Sequence, residues 1–145
     1  MIDINNEIKQ AMLAKDAVSL AALRAVKSAF IIAQTEKGAS ELDEAGQQKI
    51  ILKQVKQRKD AATIYLEQSR QDLADDELAQ IAVLEKFLPK QMSTDEIEAV
   101  VNEIVQSTGA SSMADMGKVM GMVNKKLAGK ADGKQIADLV KKSLS

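Results

Sequence analysis

Residues 72–89 read DLADDELAQIAVLEKFLP, and the spacing of apolar residues in this stretch decides the fold. Leu73, Ile81, Leu84 and Leu88 are separated by eight, three and four residues, so they share one face of a helix with 3.6 residues per turn. Period-two alternation, the mark of a half-buried strand, does not run through it. Leu88-Pro89 closes the helix, because the residue before a proline avoids helical backbone angles. Beyond Pro89 aromatics and arginine disappear, while methionine and glycine become frequent. Pro89 is therefore read as the boundary between a first domain, 1–89, and a second, 90–145.

The helical spacing continues on both sides. Upstream, Ile4, Ile8 and Met12 define a first helix, and Asp16 offers an N-cap for a second that runs to Gly38 with Leu20, Leu23, Phe30 and Ile31 as its stripe. A third, over Leu42–Ser69, carries Ile51, Val55, Ala62 and Tyr65. Downstream, Ser93-Thr94-Asp95-Glu96 fits a capping box, in which serine and glutamate satisfy each other's free backbone donors. The fifth helix then runs to Ser107 and stops at Gly109. Ser112 opens a sixth, with Met113, Met116, Met120, Val123 and Leu127 inward and Gly129 as its stop. Asp132 caps a seventh that buries Ile136, Leu139, Val140 and Leu144. The chain is expected to be all-α, a bundle of four helices followed by a small three-helix tail.

Composition removes most enzyme chemistry. The 145 residues include no cysteine and no histidine, which excludes disulfides, thiolate nucleophiles, Cys/His zinc sites and histidine acid–base pairs. No metal or other cofactor is expected. The longest unbroken apolar run is Ala29–Ala33, far short of the roughly 20 residues that span a bilayer, and Asp3 and Glu7 interrupt any basic signal-like start. These features lead us to expect a cytoplasmic protein with no membrane partner.

Charge is segregated although the net charge is only −1. Lys49, Lys53, Lys56, Arg58 and Lys59 fall in a stretch without acids, and Asp72–Glu77 holds four acids. Residues 93–108 carry four acids and no base, whereas from Gly109 onward seven lysines face three aspartates. Lys27, Arg58 and Glu77 lie inside the apolar stripes of their own helices. Because an unpaired buried charge is costly, Glu77 is expected to meet Lys27 or Arg58 in a structural ion network. Gly117 and Gly121 share a face of the sixth helix, where each costs roughly 1 kcal/mol against alanine. Either intradomain packing or close approach by a partner would account for them. The turn Gly129-Lys130-Ala131-Asp132-Gly133-Lys134 is either a capped turn or, with helix N–H groups between two lysines, a phosphate-sized cradle.

Several of these motifs carry a resemblance. Lys56-Gln57-Arg58-Lys59-Asp60, Arg70-Gln71-Asp72 and Leu88-Pro89-Lys90-Gln91, followed by Met116-Gly117-Lys118-Val119-Met120-Gly121 and Gly129-Lys130-Ala131-Asp132-Gly133, resemble the YqeY family along nearly the whole chain. The resemblance implies a two-part helical protein. Its second part is similar to the tail domain of the B subunit of the tRNA-dependent amidotransferase, a carbon–nitrogen ligase that uses glutamine as nitrogen donor, where the tail serves tRNA recognition and the chemistry resides elsewhere. Carried over to this chain, Gly117, Lys118, Gly121, Gly129, Lys130 and Gly133, with neighbouring Lys125 and Lys134, become candidates for an RNA-facing surface. Lys130 stands where arginine is expected and lacks its planar fork. The resulting expectation is a non-catalytic accessory protein that binds tRNA or other structured RNA. The alternative is a protein-interaction module using its methionines, Met122 being the one that falls off the inward stripe.

Overall fold

Three helix starts in the first half of this chain are set by short polar side chains. Asp3 accepts from the Asn6 N–H at 3.1 Å and opens α1 (Ile4–Leu13), while Asp43 accepts from the Gly46 N–H at 2.8 Å and opens α3 (Glu44–Glu67). Between them Asp16 caps α2 (Ala17–Glu36), taking both the Ser19 N–H at 3.0 Å and the Ser19 hydroxyl at 2.6 Å. Those Ser19 bonds hold the Asp16 carboxyl below the usual carboxylate range. These elements come from a computed structural model that describes residues 1–36 and 41–145; Gly38, expected to end α2, lies outside the described residues. Among the described residues the regular structure is entirely helical.

The chain divides into two units, Met1–Pro89 and Lys90–Ser145. The first contains α1 to α3 and α4 (Gln71–Glu85), and its core joins Ala22, Val26 and Phe30 of α2, Ile51 and Val55 of α3, and Ile81 and Leu84 of α4. The α3 stripe and most of the α4 stripe were legible from spacing. Two neighbouring assignments were not. Among the described residues α1 packs mainly on α2, so only a narrow strip of it is covered; Ala11 is buried and Met12 is exposed. On α2, Ile31 is likewise exposed, because Val26 and Phe30 take the inward direction. By length and composition α2 is apolar enough to cross a membrane, which counting unbroken apolar runs did not reveal. It also carries Arg24 and Lys27 and supplies four buried residues, Ala22, Leu23, Val26 and Phe30, to the first unit.

The expected ion network takes a different form. Arg58 is half-buried, but it donates to the Gln80 side chain at 3.0 Å and to Gln54 Oε1 at 2.6 Å. Among the described residues Lys27, Arg58 and Glu77 form no ion pair with one another. The physical reason is that all three keep partial access to solvent, so neutral amides satisfy the guanidinium without the desolvation of a second charge.

The second unit contains α5 (Thr94–Thr108), a 3-10 turn (Met113–Asp115), α6 (Met116–Lys126) and α7 (Gly133–Leu144). Its core is a run of aliphatic side chains at helical spacing: Ile97, Val101 and Ile104; Val119, Val123 and Leu127; Ile136, Val140 and Leu144. Met116 and Met120 pack against it, but Met113 is 43% exposed. Met113 sits in the 3-10 turn, whose 120° per residue takes it off the stripe that an α-helix from Ser112 would have made. Ser93 and Glu96 form both halves of the capping box at the start of α5, and Gly109, at φ +68°, ends that helix in the left-handed conformation. Ser93→Ala is expected to lower stability by about 1 kcal/mol, read as a shifted urea midpoint with unchanged slope.

Candidate functional site

In the second unit the chain entering α5 holds the turn between α6 and α7. The Gln91 side chain donates to the Gly129 carbonyl at 2.7 Å, the Met92 N–H donates to the Lys130 carbonyl at 2.9 Å, and the Gln135 amide reaches the Thr94 hydroxyl at 2.8 Å. Gly129 needs to be glycine, since its φ of +75° is strained for any L side chain. Ala131 is buried beneath the turn, and Lys130 is left outside. Asp132 stands at the N-cap of α7, as the capped-turn reading has it, though its side chain forms no cap bond there.

The outward face of α6 carries the other candidates. At 100° per residue Gly117, Gly121, Lys125, Lys118 and Met122 fall on one arc, opposite buried Val119 and Val123. All five are exposed. A Cβ built at Gly117 or Gly121 would meet nothing within 4 Å, so among the described residues neither glycine makes room for a neighbour within the second unit. The same is true of Gly133. Intradomain packing is thus removed as the reason for the α6 glycines, and their helix penalty is left without an internal offset. Gly117→Ala and Gly121→Ala should each raise stability by up to about 1 kcal/mol, measured as an increased urea midpoint; a decrease would mean that a neighbour does contact that face.

Electrostatics divides the tail lysines into two groups. Glu103 of α5 lies 3.7 Å from Lys126, and Glu98 lies 3.8 Å from Lys142. Lys118, Lys125, Lys130, Lys134 and Lys141 are exposed and join no ion pair among the described residues. Lys118 and Lys125 are seven residues apart on α6, as are Lys134 and Lys141 on α7, so each pair presents two charges about 10 Å apart along one helix face. Lys141 was not among the sequence candidates, although its spacing from Lys134 was the available signal. The structure thus places Gly117, Lys118, Gly121 and Lys125 on one helix face, and Gly129, Lys130, Gly133 and Lys134 at the turn that follows.

The Yqey-like protein family model matches residues 2–144. This chain belongs to the YqeY family. Relatives of this YqeY-family chain include the protein named "Altered inheritance of mitochondria protein 41, mitochondrial" in three yeasts. The Vanderwaltozyma polyspora protein is 27% identical over 123 residues, which cover 80% of this chain and 66% of the relative. The Kluyveromyces lactis protein is 30% identical over 105 residues, covering 70% and 56%. The Lachancea thermotolerans protein is 27% identical over 148 residues, covering 98% and 77%. The matched stretch thus spans about two thirds of the first relative and little over half of the second. These names correct the cytoplasmic expectation, since all three relatives are named as mitochondrial proteins. The short apolar runs and the acids Asp3 and Glu7 were a poor guide, because neither feature distinguishes one aqueous compartment from another.

Proposed function

We propose that this YqeY-family protein is a non-catalytic accessory factor that binds tRNA or another structured RNA through the exposed face of its second unit. The observation that carries the reading is the pairing of two exposed helix glycines, which no described neighbour contacts, with lysines that join no ion pair among the described residues. A bare glycine ridge lets a sugar–phosphate backbone come close to the main chain, and flanking ammonium groups neutralise phosphates on either side. The phosphate set comprises Lys118 and Lys125 on α6 with Lys130 and Lys134 at the turn. Shape and backbone contacts suit structured RNA, because the chain has three aromatic residues and none in the second unit on which bases would stack. The resemblance to the amidotransferase tail agrees with this reading and supplies no reaction for the chain itself. Mitochondria, the compartment in the relatives' names, are where such an RNA would be sought first.

A second reading, a protein-interaction module, is favoured by Met113 and Met122, which are 43% and 41% exposed. Titration of the protein into labelled bulk tRNA, followed by anisotropy at two salt concentrations, separates the two. Binding that weakens with salt and is lost in a Lys118→Ala, Lys130→Ala double variant is expected. No binding at low salt overturns the RNA reading and leaves the methionine face as the working surface.

A further inference from the structure

The first unit holds an open cavity of about 200 Å³ between α1, the start of α2 and the end of α4. It arises because α1 and α4 each pack on α2 and leave a gap between them. Glu7, Gln10, Ala11 and Ala14 line it from α1, where steps of three and four residues put them on one face over two turns, about 10 Å of helix. The facing wall is apolar, made by Leu23 of α2 with Val83 and Phe87 from the α4 side. Leu23 is buried, and Val83 and Phe87 pack against the core of the unit, so this wall is held in place.

Three charged groups edge the cavity, the carboxylates of Glu7 and Asp16 and the ammonium of Lys86, which sum to −1. They are not equivalent. Asp16 is already committed, since its two oxygens take the Ser19 N–H at 3.0 Å and the Ser19 hydroxyl at 2.6 Å. After those bonds, the Lys86 charge also helps to hold the Asp16 carboxyl below the usual carboxylate range, so these two residues balance each other at one end of the cavity. Glu7 stands two turns back along α1 from Ala14. It is half-buried, and among the described residues its carboxylate joins no ion pair or hydrogen bond. Beside an apolar wall such a carboxylate gains from a cation more than it would in open water, because the lower local dielectric strengthens the pair.

We propose that this cavity is a binding site for a small primary ammonium compound, with its charge on Glu7 and its hydrocarbon body on Ala11, Leu23, Val83 and Phe87. Charge selects a monocation: it cancels the −1 of the lining, whereas an anion meets two carboxylates and a neutral hydrocarbon leaves Glu7 unmatched. Gln10, one turn along from Glu7, supplies a neutral amide oxygen for a second N–H. The volume is of the order of one that holds benzene, which limits the body to about six carbons. The site uses none of the RNA-facing lysines, so its failure and that of the RNA reading are separate results.

The test titrates isopentylamine into the full-length protein at constant pH and ionic strength, followed by amide and methyl NMR. Saturable shifts are expected at Ala11, Leu23 and Val83, with Val123 and Val140 of the second unit unmoved. Glu7→Gln, which keeps the shape and removes the charge, should weaken binding at least tenfold. Ala14→Leu, which fills the cavity from an exposed position, should abolish it. Glu67→Gln removes the same charge from an exposed site on α3 and should bind as the wild type does. Circular dichroism confirms that each variant is folded. Equally tight binding of isopentanol overturns the proposal by removing the role of charge, and tighter binding of isovalerate or free leucine overturns it by giving Lys86 a carboxylate. Unchanged binding in Glu7→Gln, or no saturable shift at the cavity, overturns it as well.

Discussion

Alanine at Lys118, Lys125, Lys130 and Lys134 together is expected to abolish tRNA binding, whereas alanine at Lys126 and Lys142 should leave it nearly unchanged. All six residues are exposed lysines in the same unit, so net charge alone would predict a graded loss with each. The ion-pair pattern predicts otherwise. Lys126 and Lys142 already face Glu103 and Glu98, and a phosphate approaching them would also meet a carboxylate. For about four phosphate contacts, raising salt from about 50 to about 200 mM should lower wild-type affinity by about 100-fold, and each lysine removed should reduce the slope of log K against log salt by about one. Anisotropy titrations at several salt concentrations measure both. A uniform effect of all six lysines would mean diffuse attraction to a positive surface and would remove the assignment of particular residues.

The glycine variants add an independent handle. Gly117→Ala and Gly121→Ala should strengthen the fold and weaken RNA binding, opposite signs that no general loss of structure produces. Stabilised variants that bind RNA normally would show that the α6 main chain is not closely approached.

How far these features could be read in advance depended on which force set them. Helix starts at Asp16 and Ser93 and the stop at Gly109 were legible because one local side chain or one backbone conformation decides each. The turns at Lys15 and Ser69 were not, because φ of +55° and +60° is adopted there by residues that carry no glycine signal. Stripes were legible where a helix is covered by several neighbours, as for Ile51 and Val55, and misplaced at Met12, Ile31 and Met113, where coverage is one-sided or the helix type changes. Charge partners were the least legible. Arg58 could be placed in its stripe from spacing, but that Gln80 rather than Glu77 answers it depends on the register of α3 against α4, which spacing within one helix does not encode. For the candidate surface, residue types and spacing were visible, whereas the neutralisation of Lys126 and Lys142 required α5 to be set beside α6 and α7.

Ile136→Ala is expected to have the largest effect on structure and to test whether the lysines act from a folded surface. Ile136 is 2% exposed and anchors the first turn of α7 in a cluster built almost wholly of Val, Ile and Leu. Large-to-small changes at such positions cost about 2–5 kcal/mol. A unit of roughly 55 residues commands only about 3–8 kcal/mol in all, so the substitution should remove much of that margin and leave the second unit unfolded at a low urea concentration that the wild type withstands. Methyl NMR should then show collapsed dispersion for Val101, Val123 and Val140, while Val55 and Leu84 of the first unit keep their shifts. The lysine content is unchanged, so RNA binding by this variant under those conditions is decisive. If α6 and the turn at Gly129 must hold Lys118, Lys125, Lys130 and Lys134 in fixed relation, affinity should fall about as far as in the four-lysine variant. If affinity persists with its full salt dependence, a flexible lysine-rich segment is sufficient, and the close approach attributed to the glycine face plays no part.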